Sequence, residues 1–298
     1  MPTINEIKSQ KVVVASVGNF ADSLQKIAAS RMVRLRRLVM NSRRFVDEAT
    51  IILRELELER TKKIKRELGI EKSTFENQKK KDQEAEKLKT AIIVVSSTQG
   101  LAGSYNTEIT KKLDIILPEH KTAEYFVIGS KGQAYFAKNA KKYDIKYYPY
   151  DIPEDVSIED LRPLVSMFYH YDQIFIVYSK FINTATRDVV FIELAVPHVE
   201  AEEIKKEQDE GKFIFEPSVE ELIQSVTTNL RSALFRQQIL DSKLALYTAQ
   251  MLAMKTAADN AVDLLKELQM QYNKARRKLI DKKIQEVQAG RALWAGEE

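Results

Sequence analysis

Apolar and small residues recur at alternating steps of three and four along the last third of the chain. No glycine or proline interrupts the sequence between Ser218 and Gly290. The repeating positions, broken only by Gln237, are Ile223, Val226, Leu230, Ala233, Leu240, Leu244, Tyr247, Met251, Met254, Ala258, Ala261, Leu265, Leu268, Tyr272, Ala275 and Leu279. A repeat sustained over about eight heptads is typical of a coiled-coil seam. We predict one helix from Ser218 to about Leu293, roughly 110 Å long, within a C-terminal coiled-coil segment, 218–298.

The N-terminal segment, 1–68, offers a partner helix for this seam. Its matching positions are Leu24, Ala28, Leu35, Leu38, Phe45, Ala49, Ile52 and Leu56, with Arg31 and Ser42 filling two further slots. Gly18 is the weak point, since glycine in a helix interior costs roughly 1 kcal/mol relative to alanine. We therefore predict that the two ends of the chain pair as a long antiparallel coiled coil.

Local signals mark where the two helices begin and where the first one stops. Thr3 with Glu6, and Ser218 with Glu221, have the spacing of capping boxes, in which each side chain accepts from the other residue's backbone N–H. Gly69 follows a charged helical stretch and is expected to cap its C-terminus.

Between the two helices the pattern changes to short β-rich runs. These runs lie at 90–97, 124–130, 144–152, 173–182 and 187–196, with a further candidate at 212–216. Helix-compatible segments at 104–117, 131–142 and 157–169 separate the first four runs. This alternation predicts a parallel, doubly wound sheet, to which the closely spaced last strands add antiparallel pairing.

The predicted fold class is therefore α/β, with a long antiparallel coiled coil and a central Rossmann-like doubly wound domain over 90–217. The segments 71–87 and 200–212 are charged and poor in apolar residues, so we interpret them as exposed linkers. The first of them defines a charged linker at 69–89.

Composition excludes several classes of protein. With 44% apolar and 30% charged residues, the chain of 298 residues can bury a core and is not disordered. It has no cysteine and a net charge of only +4, so it offers no thiolate site and no global attraction to nucleic acid. Its apolar runs are far shorter than the roughly 20 residues that span a bilayer, and we expect an intracellular protein unless a partner holds it at a membrane.

The sequence "SSTQGLAGSYN" at 96–106 follows the first strand and precedes a helix, where a dinucleotide fold binds phosphate. It contains Gly100 and Gly103 but neither the three-glycine fingerprint nor the Lys-Ser/Thr of a P-loop. A structural turn and a nucleotide site both remain open for this segment.

No other pattern predicts catalysis, a metal or a cofactor. His120, His170 and His198 are far apart and lack the spacing of metal ligands. The acidic pairs on the helices have the spacing of solvated faces, and no nucleophile elbow is present.

Two basic clusters are candidates for interaction with a partner. The first, at 30–44, contains Arg31, Arg34, Arg36, Arg37, Arg43 and Arg44, and no acidic residue follows them before Asp47. A solvated face, an acidic protein partner, and nucleic acid or phospholipid are all open, although no aromatic residues are interleaved for base stacking. The second cluster lies at 272–283, and with antiparallel helices we expect both clusters near the same end.

Four motifs resemble those of one family. The residues of 251–290 are similar to the C-terminal signature of the gamma subunit of F-type ATP synthases. The matching positions are Met251, Ala253, Met254, Lys255, Ala257, Asp259, Asn260, Ala261, Tyr272, Asn273, Arg276, Ile284, Glu286, Val287 and Gly290. The stretches "IAASRM" at 27–32, "SSTQGLAGSYN" and "VIGSKGQAYF" at 127–136 also resemble this family, so the resemblance spans nearly the whole chain.

The resemblance implies the central rotor stalk of an F-type ATP synthase, which couples ion flow to ATP synthesis or hydrolysis. In that family the coiled coil enters a hexameric ring of alpha and beta subunits, and the α/β domain lies near the epsilon subunit and the membrane c-ring. ATP reacts on the beta subunits, so the chain would be a non-catalytic, peripheral subunit at the cytoplasmic face of the cell membrane. No cofactor, nucleic acid or small-molecule substrate of its own is implied.

The resemblance also implies which side chains contact the alpha and beta subunits. These are Leu24, Lys26, Arg31, Arg34, Asp259, Asn260, Arg276, Arg277, Asp281 and Glu286. Gly100 and Gly103 are assigned to a structural turn. The chain departs from the family pattern at Asp22, Leu24, Arg277, Asp281 and Trp294.

Alternatives from other classes remain. The chain could be a nucleotide-binding α/β enzyme with helical dimerisation arms, in which the segment between Gly100 and Gly103 holds phosphate. It could also be a coiled-coil scaffold without a motor, or a gamma-like subunit of a diverged rotary ATPase.

Overall fold

The computed structural model describes residues 3–68, 89–153, 155–195 and 218–295. In chain order its elements are α1 (Ile4–Leu68), β1 (Thr90–Val95), α2 (Tyr105–Glu119), β2 (Glu124–Ile128), α3 (Ser130–Tyr143), β3 (Lys146–Tyr150), α4 (Ile158–Met167), a 3-10 turn (Phe168–His170), β4 (Gln173–Phe181), β5 (Arg187–Glu193) and α5 (Val219–Ala295). The predicted pattern of two long terminal helices around alternating strands and helices is confirmed.

The chain forms two compact units. The first, which we call the helical unit, contains Met1–Arg31 and Thr248–Glu298, and the second, the sheet unit, contains Met32–Tyr247.

In the helical unit, α1 and α5 pair antiparallel, as predicted. Lys11 Nζ donates to Gln269 Oε1, and the same ammonium group lies 5.7 Å from the centre of the Tyr272 ring. Further along α1, Gly18 faces Ala261, which lies earlier in α5. Residue numbers therefore rise along one helix as they fall along the other. The buried seam residues are Ile7, Ala21 and Ala28 on α1 with Ala261 and Leu268 on α5.

The sheet unit is built on a five-stranded sheet with the strand order β3-β2-β1-β4-β5. The first four strands are parallel, and β5 pairs antiparallel with β4, with Val177 opposite Phe191. Because β4 returns to the side of β1 away from β2, the chain winds outwards in both directions from β1. The predicted doubly wound topology and the antiparallel last strand are both confirmed.

Alternate residues of the strands pack on opposite faces of the sheet. On one face, Phe126 of β2 contacts Phe168, whose ring in turn meets Phe235 of α5 edge to face. On the other face, Tyr125 of β2 contacts Phe136 of α3. The central strands are therefore covered on both sides, which explains why their sequences are continuous apolar runs rather than alternating ones.

The face that α1 buries in the sheet unit differs from the predicted seam. Leu35, Ser42 and Leu56 are buried as predicted, but Leu38, Phe45 and Ile52 are exposed. Val39, Val46 and Leu53 are buried instead. These three buried residues lie four positions after the predicted seam residues Leu35, Ser42 and Ala49, whereas the predicted ones lie three positions after them. The sequence has apolar residues at both spacings, so the pattern alone did not distinguish them.

Both helix starts are capped by the predicted residues. The Thr3 N–H donates to Glu6 Oε2 at 2.8 Å, and the Glu6 N–H donates to Thr3 Oγ1 at 3.3 Å. The Glu221 N–H donates to Ser218 Oγ at 3.2 Å. At the other end of α5, the predicted seam position Leu279 is exposed, because the pairing in the helical unit brings the start of α1 opposite residues before it.

Several predictions concern residues outside the described ranges: the helix cap at Gly69, the linkers at 71–87 and 200–212, and the strand at 212–216. Among the residues that the structure describes, no helix is long and apolar enough to cross a bilayer.

Candidate functional site

The turn after β1 forms hydrogen bonds with its own neighbours in the fold. Ser97 Oγ donates to the Gln99 carbonyl at 2.6 Å and accepts from Asn106 Nδ2 at 2.8 Å. Ser130 Oγ donates to the carbonyl of Thr98 at 2.7 Å. These hydroxyl groups and carbonyls therefore tie the turn to the start of α2 and of α3, which favours the structural interpretation of the motif.

The two turn glycines have different surroundings. Gly103 has a φ of 55°, and Leu101 near it has a φ of 64°, so the backbone turns through the left-handed region there. A Cβ on Gly100 would meet nothing within 4 Å.

The glycines of "VIGSKG" allow a close approach between two turns. A Cβ on Gly129 would overlap the carbonyl oxygen of Ser96, and one on Gly132 would lie 2.5 Å from Ser96 Oγ. Ser96 Oγ donates to the Ile128 carbonyl at 2.7 Å and accepts from the Gly132 N–H at 2.8 Å. This motif thus packs the end of β1 against the turn between β2 and α3.

A doubly wound sheet takes its ligands in the crevice at the carboxyl ends of the strands where the winding reverses. Here those strands are β1 and β4, and α5 packs against the carboxyl end of each. Tyr105, which begins the helix after β1, lies with its hydroxyl 2.8 Å from Ser242 Oγ. Phe181, which ends β4, packs on a cluster that includes Leu240 and Leu244. The protein's own helix α5 therefore contacts both sides of this crevice.

A buried ion pair lies beside this contact. Arg43 Nη2 of α1 donates to both carboxylate oxygens of Asp241 of α5, at 2.9 and 3.1 Å. Burial raises the pKa of Asp241 above its ordinary value, although the positive charges of Arg43 and Lys180 oppose this. Burial, with the nearby Asp241 charge, also raises the pKa of Tyr178 to about 12. The only sign of this pair in the sequence is the break in the apolar series at Gln237, one helical turn before Asp241.

The two histidines in the described part of the chain lie on different elements. His120 packs against Phe175 and Phe191, with ring centres 6.0 and 5.4 Å away. His170 ends the 3-10 turn, and His198 lies outside the described residues. In the described part of the chain, no group of acidic or histidine side chains could hold a metal ion.

The two basic clusters lie at different places along the paired helices, so the expectation that they share one end is wrong. In an antiparallel pair the start of one helix faces the end of the other. Tyr272 accordingly lies beside Lys8 and Lys11, whereas Arg43 of the first cluster pairs with Asp241. In the same cluster, Arg34 forms an exposed ion pair with Asp155 at 3.1 Å.

The predicted contact residues are spread along both helices. Leu24 and Arg31 are half-buried, and Lys26 forms an exposed ion pair with Asp22 at 2.6 Å. The exposed members on α5 are Asp259, Asn260, Arg276, Arg277, Asp281 and Glu286. Glu286 lies 3.6 Å from Lys282 Nζ. Most of these side chains are thus available to a partner, and none of them converges on a catalytic centre.

The helical unit also exposes many apolar side chains, which the heptad pattern alone did not reveal. On α1 these are Val12, Val13, Val17, Phe20 and Ile27. On α5 they are Leu252, Val262, Leu264, Met270, Leu279, Ile280, Ile284 and Val287. Phe20 is 62% exposed and Met270 65%. The signal in the sequence was a second apolar row beside the seam, since 13, 17, 20 and 27 share one helix face.

Comparison with known proteins identifies the family. The model of the ATP synthase family matches residues 3–293. An ATP synthase gamma chain from Ligilactobacillus salivarius is 34% identical over 220 residues, which cover 68% of this chain and 70% of that protein. The chain belongs to the ATP synthase gamma chain family.

A second gamma chain relative, from Mycoplasma mycoides, is 27% identical over 297 residues and covers 97% of this chain and 98% of that protein. The fold also matches chains of solved ATP synthase structures. The central stalk and c-ring structure of the Tetrahymena thermophila mitochondrial ATP synthase contains a chain with a TM-score of 0.55 and 17% identity, covering 80% of this chain and 99% of that one. A chain of the Euglena gracilis mitochondrial ATP synthase has a TM-score of 0.53 and 15% identity, covering 91% and 97%.

A member of this family is a subunit of an ATP synthase.

Proposed function

We propose that the gamma chain acts as a non-catalytic shaft, whose helical unit is enclosed by a hexameric ring of alpha and beta subunits. The observation that carries this proposal is the exposed apolar surface of the helical unit. Contiguous apolar surface on a protein marks a site of contact with another molecule. The exposed apolar side chains lie on both helices, with Phe20 on α1 and Met270 on α5, as expected of a shaft that is contacted from more than one side.

The chemistry of this surface suits a turning contact. Valine, isoleucine and leucine side chains make non-directional contacts that depend on shape, so no strong bond has to break as the shaft turns. The charged contacts are weak individually, because an exposed ion pair such as Lys26–Asp22 contributes only about 0–1 kcal/mol. Steric shape would thus transmit most of the torque.

A non-catalytic role is supported by the sheet unit. The hydroxyl groups of Ser96 and Ser97 are bonded to the protein itself, and α5 contacts both sides of the crevice in which related sheets take ligands. We propose that this unit is the foot of the shaft, beside the epsilon subunit and the membrane c-ring. Placement at the cytoplasmic face of the membrane as a peripheral subunit follows from those partners.

Thiol labelling tests the proposal, because the chain has no cysteine. Phe20→Cys and Met270→Cys variants would be labelled alone and after assembly with alpha and beta subunits, with labelling of this chain read by mass spectrometry. Both cysteines should react rapidly in the isolated chain and become protected in the complex. Ile115→Cys on α2, where the native side chain is 60% exposed, is the matched control and should react equally in both states. Undiminished labelling of the Phe20 and Met270 variants in the complex would refute enclosure of the helical unit.

A further inference from the structure

Helix α1 offers two apolar faces in the sheet unit. One face carries Val39, Val46 and Leu53, which are buried, and the other carries Leu38, Phe45 and Ile52, which are exposed. The two rows flank the shared row of Leu35, Ser42, Ala49 and Leu56, so a rotation of α1 by about 50°, half of the angle between consecutive residues, exchanges one face for the other. Both faces are made of large apolar side chains, and burial of apolar area alone therefore does not decide which face enters the seam.

Arg43 lies on the face that is buried. It follows Val39 by four residues and precedes Val46 by three, so these three side chains form one row on the helix. Its partner Asp241 has a side chain that is only 4% exposed.

On α1, Arg43 lies between the residues of two apolar clusters that this helix forms with α5, and on α5 Asp241 lies beside the first of them. The first cluster contains Leu35, Val39, Leu240, Leu244 and Tyr247. The second contains Val46, Leu53, Leu230 and Ala233. A buried polar group in an apolar seam is a device by which a coiled coil fixes its alignment at some cost in stability.

The surroundings of Asp241 make the choice of face costly to change. Besides Arg43 from α1, the charged or titratable groups near Asp241 are Lys180 and Tyr178 of β4. If α1 turned its other face to α5, Arg43 would leave and the carboxylate would remain buried without its hydrogen-bonding partner. A buried charge that loses its partner is strongly unfavourable.

We propose that the Arg43–Asp241 ion pair is a specificity device that selects which of the two apolar faces of α1 packs against α5. The pair contributes alignment rather than net stability. Its action lies within the isolated chain and does not depend on the proposed contacts with other subunits.

The two faces are distinguished by single cysteines at adjacent positions. Phe45 is 52% exposed and Val46 6%, so Phe45→Cys should react with a thiol reagent much faster than Val46→Cys in the parent chain. The same two cysteines would then be placed in a chain carrying Arg43→Leu and Asp241→Leu, in which apolar side chains replace the pair. We expect the ratio of the two labelling rates to fall about tenfold or more, because both faces become populated.

The stability of this double-leucine chain separates alignment from stability. Replacing a buried ion pair by apolar residues is often neutral or stabilising, so the midpoint of urea unfolding should be unchanged or higher while the ratio falls. Arg34→Leu, which breaks the exposed ion pair with Asp155, is the matched control and should leave the ratio as in the parent. An unchanged ratio in the folded double-leucine chain overturns the proposal.

If the double-leucine chain does not fold, an exchange of the two charges tests the proposed role of the ion pair instead. Arg43→Asp combined with Asp241→Arg retains a pair of opposite charges at the same two positions. This chain should recover the parent ratio, whereas Asp241→Arg alone should not. A folded charge-exchanged chain in which Val46→Cys reacts as fast as Phe45→Cys would overturn the proposal.

Discussion

Replacing Gly18 by alanine tests how closely the two helices approach in the helical unit. A Cβ built on Gly18 would lie 3.0 Å from the Cβ of Ala261, inside the separation of about 3.5–4.0 Å at which carbon atoms attract best. In an uncrowded helix interior, the change from glycine to alanine would stabilise by about 1 kcal/mol. Overpacking costs about 1–3 kcal/mol and opposes that gain, so we expect Gly18→Ala to range from neutral to about 2 kcal/mol destabilising.

A double-mutant cycle isolates the steric part of this effect. Ala261→Gly alone should destabilise by about 1 kcal/mol through lost helix propensity. When both changes are combined, the propensities cancel and the crowding Cβ at position 261 is gone, so the double variant should be about as stable as the parent. The two single effects should therefore exceed the double effect by about 1–3 kcal/mol.

Amide hydrogen exchange on the full chain is the appropriate measurement, since it reports the local opening free energy of α1 independently of the sheet unit. Asn19→Ala, at the exposed neighbouring position, is the control and should show only a small stabilisation from propensity. If Gly18→Ala stabilised α1 by the full 1 kcal/mol or so expected of an uncrowded helix, and the cycle were additive, the close approach of α1 and α5 at Gly18 would be refuted.

Two further predictions concern the sheet unit. Burial raises the pKa of Asp241 above 3.8, so the folded state binds the proton on this carboxyl more tightly than the unfolded state does. The stabilisation from this proton is complete below pH 3.8 and is lost as pH rises through the raised pKa of the folded state. Urea unfolding at a series of pH values should therefore show the parent losing stability relative to Asp241→Asn as pH rises through this window, and a relative gain would contradict the desolvation argument. Gly132→Ala should destabilise the sheet unit by about 1–3 kcal/mol, because its Cβ would lie 2.5 Å from Ser96 Oγ, whereas Gly100→Ala, in open space, is the control in the same thermal unfolding experiment.

Much of the fold could be predicted from the sequence, because strands covered on both faces leave continuous apolar runs and coiled-coil seams leave heptads. The runs at 90–97 and 173–182 contain β1 and β4 almost residue for residue. Which face of α1 packs against α5 could not be predicted in the same way. Leu38 and Val39 are both apolar, and the pattern alone does not say which of two adjacent rows faces the partner helix.

The candidate site was predicted less well than the fold, for a physical reason. An exposed apolar residue such as Phe20 resembles a seam residue in a single sequence, because the hydrophobic pattern does not tell a buried position from an exposed one. The buried Asp241 was missed because its partner Arg43 lies 198 residues earlier in the chain, and because Asp241 lies beside the seam position Leu240 without interrupting the heptad series. The contact residues assigned from the family resemblance remain predictions.

The end of α5 shows how the fold depends on its surroundings. From Arg276 to Ala289 every described residue is exposed, and in the helical unit the start of α1 is already beside Tyr272. A single helix in water is marginal without an apolar face to bury. Leu279, Ile280, Ile284 and Val287 nevertheless line one side of this segment. We propose that partner subunits bury that side, in which case the segment is more stable in the assembled complex than in the isolated chain.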